Sequence, residues 1–240
     1  MPLADSPLRF FVGAVAPGQV YINHVIGLLE ITNHLPAGRQ ARSQEWEITF
    51  IALVAYFEAF CKDQFAALVN IRPELLRNFR ADGRDTMVDA ADLIEQGALA
   101  SCRVGSLLAE RLPMGTAHEI NGAYSALLNL APFSKKQAKE FDRLLRVRNQ
   151  LVHHGGVITS KFARQHDEAV PPENRYFYSL VLSAAFFGEA YNFFMEVAGT
   201  IVRQSGAKLR KFIEENNLEC SPDQLSAIEY LIEPFKQAAV

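Results

Sequence analysis

Eight consecutive residues, Phe50-Ile51-Ala52-Leu53-Val54-Ala55-Tyr56-Phe57, are apolar. No stretch of the chain alternates apolar and polar residues long enough to build a sheet, whereas spacings of three and four recur almost everywhere, so the run belongs to a helix. A helix that is apolar on nearly all sides must be enclosed by others. The fold class expected is therefore all-α. The enclosed helix should begin after Ser43, with Glu45 and Glu47 in its dipole-favoured first turn, and continue to about Asn70.

The flanking segments read as further helices. One runs over about 19–35 and stops before Pro36-Ala37-Gly38. Pro73 suits the first turn of a short helix ending near Arg80, followed by a turn at Asp82-Gly83. Residues 85–112 read as one or two helices with a break at Gly97, and a helix over about 118–130 should be closed by Pro132. Ser134-Lys135-Lys136-Gln137 has the spacing of a capping box, and the helix it opens should end at Gly155-Gly156. Residues 157–174, with Pro171-Pro172, read as a long loop. A long helix over about 175–215 and a last one opened by Ser221-Pro222-Asp223-Gln224 complete the chain. Residues 1–160 are expected to form the helical core, with 161–240 supplying long C-terminal helices that pack on it or on a dimer interface as one unit.

Composition narrows the partners. Nearly half of the 240 residues are hydrophobic and 21% are charged, which is the mix of a soluble globular chain. A net charge of −3 gives no global attraction to nucleic acid, so such a role must rest on a local patch. Cys61, Cys102 and Cys220 are odd in number and far apart, which argues against disulfides and a zinc site and for a reducing cytoplasm. The first twenty residues lack the pattern of a secretory signal. The apolar stretch 180–202 carries Glu189, Asn192 and Glu196 on one helical face, so a buried or interface helix is expected, with no membrane span. His24 and His34 have no further ligand at metal spacing, and neither metal nor cofactor is expected.

The most unusual chemistry lies at the glycine end of the capped helix, in Arg146, Arg148, Asn149, His153 and His154. Cations there complement the helix dipole, so ordinary capping is one reading. The other rests on a pattern. Arg148-Asn149-Gln150-Leu151-Val152-His153 followed by glycine resembles the R-x4-6-H signature of HEPN domains. Four residues separate Arg148 from His153, five separate Arg148 from His154, and six separate Arg146 from His153. The likeness reaches upstream to an apolar helix carrying an acidic residue, here Glu58, whose alternative is a helix salt bridge with Lys62.

The resemblance implies an all-helical bundle and a metal-independent endoribonuclease of toxin–antitoxin or antiviral defence systems, in which the 2′-hydroxyl attacks the phosphate. His153 would move protons, Arg148 would hold the phosphate, and Asn149 would orient His153 or the substrate. Arg146, His154 and Lys161 would add local positive charge, and Glu58 would orient Arg148 or a histidine. Single-stranded RNA or tRNA is the implied substrate and an antitoxin or other regulatory protein a possible partner. Arg148 and His153 lie about 140° apart around an ideal helix, so a site shared across a homodimer is expected. Gly155 stands where some family members carry a modified tyrosine, which speaks against that mode of control. The alternative is a non-catalytic module of the same type that binds RNA, a nucleotide or a protein. The aromatics Tyr176, Phe177, Tyr178, Phe186, Phe187, Tyr191, Phe193 and Phe194 read as core or dimer interface rather than as base-stacking groups.

Overall fold

The computed structural model describes residues 6–34, 44–166 and 175–236. The expected helix stop at 36–38, Ser43 and the prolines at 171 and 172 lie outside the described residues. The fold is all-α: α1 Pro17–Asn33, α2 Gln44–Ile71, α3 Leu76–Ala81, α4 Ala90–Glu95, α5 Val104–Arg111, α6 Ala117–Leu128, α7 Lys135–His154, α8 Ser160–His166, α9 Ala184–Glu215 and α10 Pro222–Ile232. Among the described residues β pairing is limited to one isolated antiparallel bridge between Val157 and Ser179.

Helix α2 is the axis of the molecule, and α1, α5, α7, α9 and α10 all pack against it. The fully enclosed stretch is not the apolar run 50–57, where Ala55 is exposed, but Gln64–Ile71, every residue of which is buried. The reason is the approach of α5. A Cβ on Gly105 would collide with the Ala66 carbonyl oxygen and lie 2.8 Å from Val69 Cβ. Asn70 then secures the crossing, since its Oδ1 accepts from the Gly105 N–H at 2.8 Å and its amide donates to the Phe10 carbonyl at 3.0 Å. One contiguous apolar core extends from Phe10 to Phe235, so α9 and α10 share it with the earlier helices.

Phe57 anchors the middle of α2. Its ring meets Tyr21, Phe133, Phe141 and Phe194, joining α1, α7 and α9. The contacts with Tyr21, Phe133 and Phe141 are edge-to-face and that with Phe194 is tilted, and such aromatic pairs add about 0.5–1.5 kcal/mol each beyond the area they bury. They fix which side of α7 faces inward.

Several expected boundaries shift. Helix α6 ends at Leu128 because Asn129 takes the left-handed conformation, φ 50°, and its N–H returns to the Tyr124 and Ser125 carbonyls, before Pro132 is reached. Residues 85–112 divide into α4, a 3-10 stretch beginning at Gly97 (φ 54°) and α5. The expected loop after Gly156 contains α8, whose first turn is capped by Thr159 Oγ1 accepting from the Phe162 N–H at 3.2 Å. The long helix begins at Ala184, not near residue 175, because Ser183 caps it by accepting from the Phe186 N–H at 3.1 Å. Tyr176, Phe177 and Tyr178 consequently lie outside it and are exposed, whereas Phe187 and Phe194 are core. Among the described residues no helix is long and apolar enough to cross a membrane.

Candidate functional site

Helix α7 begins and ends as its sequence dictates. Ser134 accepts from the Gln137 N–H while the Gln137 side chain accepts from the Ser134 N–H, satisfying donors that a helix start leaves unpaired. At the other end Gly155 adopts φ 56°, and the N–H groups of Gly155 and Gly156 both return to the Gln150 carbonyl. The buried Gln150 amide donates to the Val157 carbonyl, folding the chain back against the helix.

The motif residues divide between two faces of this helix. Phe141 points into the core, and seven residues on Arg148 returns to within about 20° of it. Arg148 Nη2 donates to Glu58 Oε1 at 2.6 Å, and both side chains are 25% exposed. The choice left open for Glu58 is thereby made: its ion-pair partner is Arg148 rather than Lys62. Burial pushes the Glu58 carboxyl above its usual range, against the pull of Arg148 and Lys62. Burial likewise raises Asp63.

Arg146, Asn149 and His153 turn the other way. With Gln150, His154, Thr159, Lys161, Phe162 and Gln165 they line a cleft of about 370 Å³ between the end of α7 and α8. Spacings of four and seven place Asn149, Arg146 and His153 on one helical side, within about 60° of one another. His153 and His154 are exposed, and Arg146 is half-buried, its Nε buried without a hydrogen-bond partner. No carboxylate occurs among the described lining residues, so the cleft is a local cationic patch on an acidic protein. As their separation of about 140° on an ideal helix implies, Arg148 and His153 lie on different sides of α7 within one chain, and the arginine that lines the cleft with His153 is Arg146.

Sequence reasoning missed Thr159, Phe162 and Gln165. The signal was present in Thr159 as a cap three residues before the apolar pair Phe162-Ala163. Among the described residues no group of three or more His, Cys, Asp or Glu could hold a metal, and Cys61, Cys102 and Cys220 are free thiols. His24 stacks on Tyr56 with ring centres 4.1 Å apart.

An arginine, two histidines, an asparagine and a lysine in one open, carboxylate-free cleft suit an anionic ligand. Histidine transfers protons near neutral pH, and guanidinium stabilises charge developing on a phosphate. Compared with known protein families, curated proteins and solved structures, the chain matches none.

Proposed function

We propose that this protein is a metal-independent endoribonuclease of HEPN type, acting as a toxin or antiviral effector on single-stranded RNA or tRNA. The observation that carries the reading is the sharing of one cationic cleft by His153, His154, Arg146, Asn149 and Lys161 at the glycine-capped end of α7. His153 removes the proton from a ribose 2′-hydroxyl, whose oxygen attacks the adjacent phosphorus. The bond from phosphorus to the 5′-oxygen breaks, leaving a cyclic phosphate, and the departing oxygen takes a proton from a second histidine. That histidine is His154 or the His153 of a second copy in a homodimer. Arg146 holds the phosphate, while the pair between Glu58 and Arg148 fixes the helix end from within.

Purified protein incubated with total RNA in the presence of a chelator should cleave it, and His153→Ala should abolish cleavage. Full activity in that variant would overturn the assignment.

The second reading is a non-catalytic module binding RNA, a nucleotide or a protein. The engagement of Arg148 with Glu58 favours it, because the arginine of the closest motif register is then occupied within the fold. Binding lost on Arg146→Ala without any cleavage by the parent protein would select it.

A further inference from the structure

The segment 175–183 leading into α9 carries three consecutive aromatics at the surface. Tyr176, Phe177 and Tyr178 are 63%, 85% and 52% exposed. The backbone beneath them is held in place. The Tyr176 N–H donates to the Ile158 carbonyl at 3.0 Å, the Ile158 N–H to the Tyr178 carbonyl at 2.8 Å, and the Leu180 N–H to the Gly156 carbonyl at 2.8 Å. Tyr176 also stands at φ 72°, a conformation that bulky residues rarely adopt and that tends to persist where function requires it.

This strap pairs with the residues that directly follow the motif. Its ladder partners are Gly156, Val157 and Ile158, and the next residue, Thr159, lines the cleft. Adjacent extended chains lie about 4.8 Å apart, so the backbone of the strap runs about one chain spacing from the residues that lead into Thr159.

We infer that Tyr176 and Phe177 form a stacking platform for an unpaired base of single-stranded RNA whose phosphate lies in the Arg146 and His153 cleft. The inference rests on the ribonuclease reading and adds a base-stacking site for its single-stranded substrate. Proteins that hold single strands combine a cationic track for the backbone with exposed rings on which any base can stack. Both parts occur here on neighbouring segments, in complementary roles. A duplex keeps its base faces covered and offers nothing to the rings, so unpaired loops or strands are preferred. Arg146, His153, His154 and Lys161 line the cleft that begins at Thr159, one residue past the strap's partner Ile158, whereas the centre of a contact between two copies is depleted in charge, and this favours RNA over a second chain as the occupant.

The test uses the full chain and 2′-O-methyl oligonucleotides, which cannot be cleaved by 2′-oxygen attack, with binding followed by fluorescence anisotropy. Three probes of equal length are compared: a single strand, a strand with abasic positions and a duplex. The parent protein should bind the single strand about five- to a hundred-fold more tightly than the abasic probe. The double variant Tyr176→Gly, Phe177→Ala should lose that preference and keep the abasic affinity. Glycine removes the ring while accommodating the backbone at φ 72°. Arg146→Ala should weaken binding of all three probes. A base preference that survives the double variant overturns the inference and leaves the ribonuclease reading standing. A change of oligomeric state in the double variant, measured by sedimentation, would assign the strap to a contact between copies and overturn the inference as well. If the parent protein binds none of the probes, both readings fail together.

Discussion

Arg148 donates to Glu58 at 2.6 Å across the interface of α2 and α7, while His153, five residues further on, lines a cleft on another side of the same helix. One short motif thus serves two environments. Its inward arginine ties the helix end to the central helix, and its outward residues face solvent and ligand.

Separating these roles is a matter of comparing two arginines. Arg148→Gln leaves the Glu58 carboxylate partly buried without its partner and should cost about 1–2 kcal/mol, a value reduced from that of a fully buried pair because both groups are a quarter exposed. Arg146→Ala should change stability by less than about 0.5 kcal/mol and reduce RNA cleavage by about a hundred-fold or more. Urea denaturation and cleavage rates on both variants check the assignment.

The same pair predicts a pH dependence. Burial lifts the Glu58 carboxyl above the range it has in the unfolded chain. Between the two values the folded protein keeps a proton that the unfolded chain releases. The stability this contributes is present in full below the ordinary carboxylate range and is lost as pH rises through the folded value of Glu58. Glu58→Gln should remove its share of that slope, leaving the share of Asp63, which has the same sign, and Arg148→Gln should raise the Glu58 value further. Carboxyl titration by NMR, paired with denaturation at several acidic pH values, measures both effects.

Gly155 ends the motif helix at φ 56° with open space where a Cβ would stand. The conformation alone therefore penalises substitution. Gly155→Ala should cost about 1 kcal/mol and Gly155→Asn less, since asparagine tolerates the left-handed region. Thermal melts of the two variants provide the comparison.

Gly105 presents the opposite case, with ordinary dihedrals and no space. Gly105→Ala drives a methyl group into the Ala66 carbonyl of α2 and should cost about 3 kcal/mol or more, with loss of native packing visible in near-UV circular dichroism.

What could be read from the chain follows how local each determinant is. The central helix was legible at Gln44–Ile71 to within about a residue, and the serine caps of α7 and α10 form both bonds of the capping box their spacing announced. The angular separation of Arg148 and His153 was equally legible. Which of them faces inward was not, because that depends on the packing of Phe141 against Phe57 on a helix about eighty residues away. Helix α8 was hidden by the polar residues and prolines around it. The strap was misread because its aromatics continue the apolar spacing of α9, and only the Ser183 cap and the pairing with Gly156–Ile158 separate the two.

The central claim is that His153 moves protons on RNA without a metal ion. Mass spectrometry of the ends left on a defined RNA strand, after incubation with the parent protein or with His153→Ala in excess chelator, tests it most directly. The account predicts cyclic phosphate and 5′-hydroxyl ends from the parent protein, formed at least about a hundred-fold more slowly by the variant. Ends bearing a 3′-hydroxyl, or equal rates from both proteins, would contradict it.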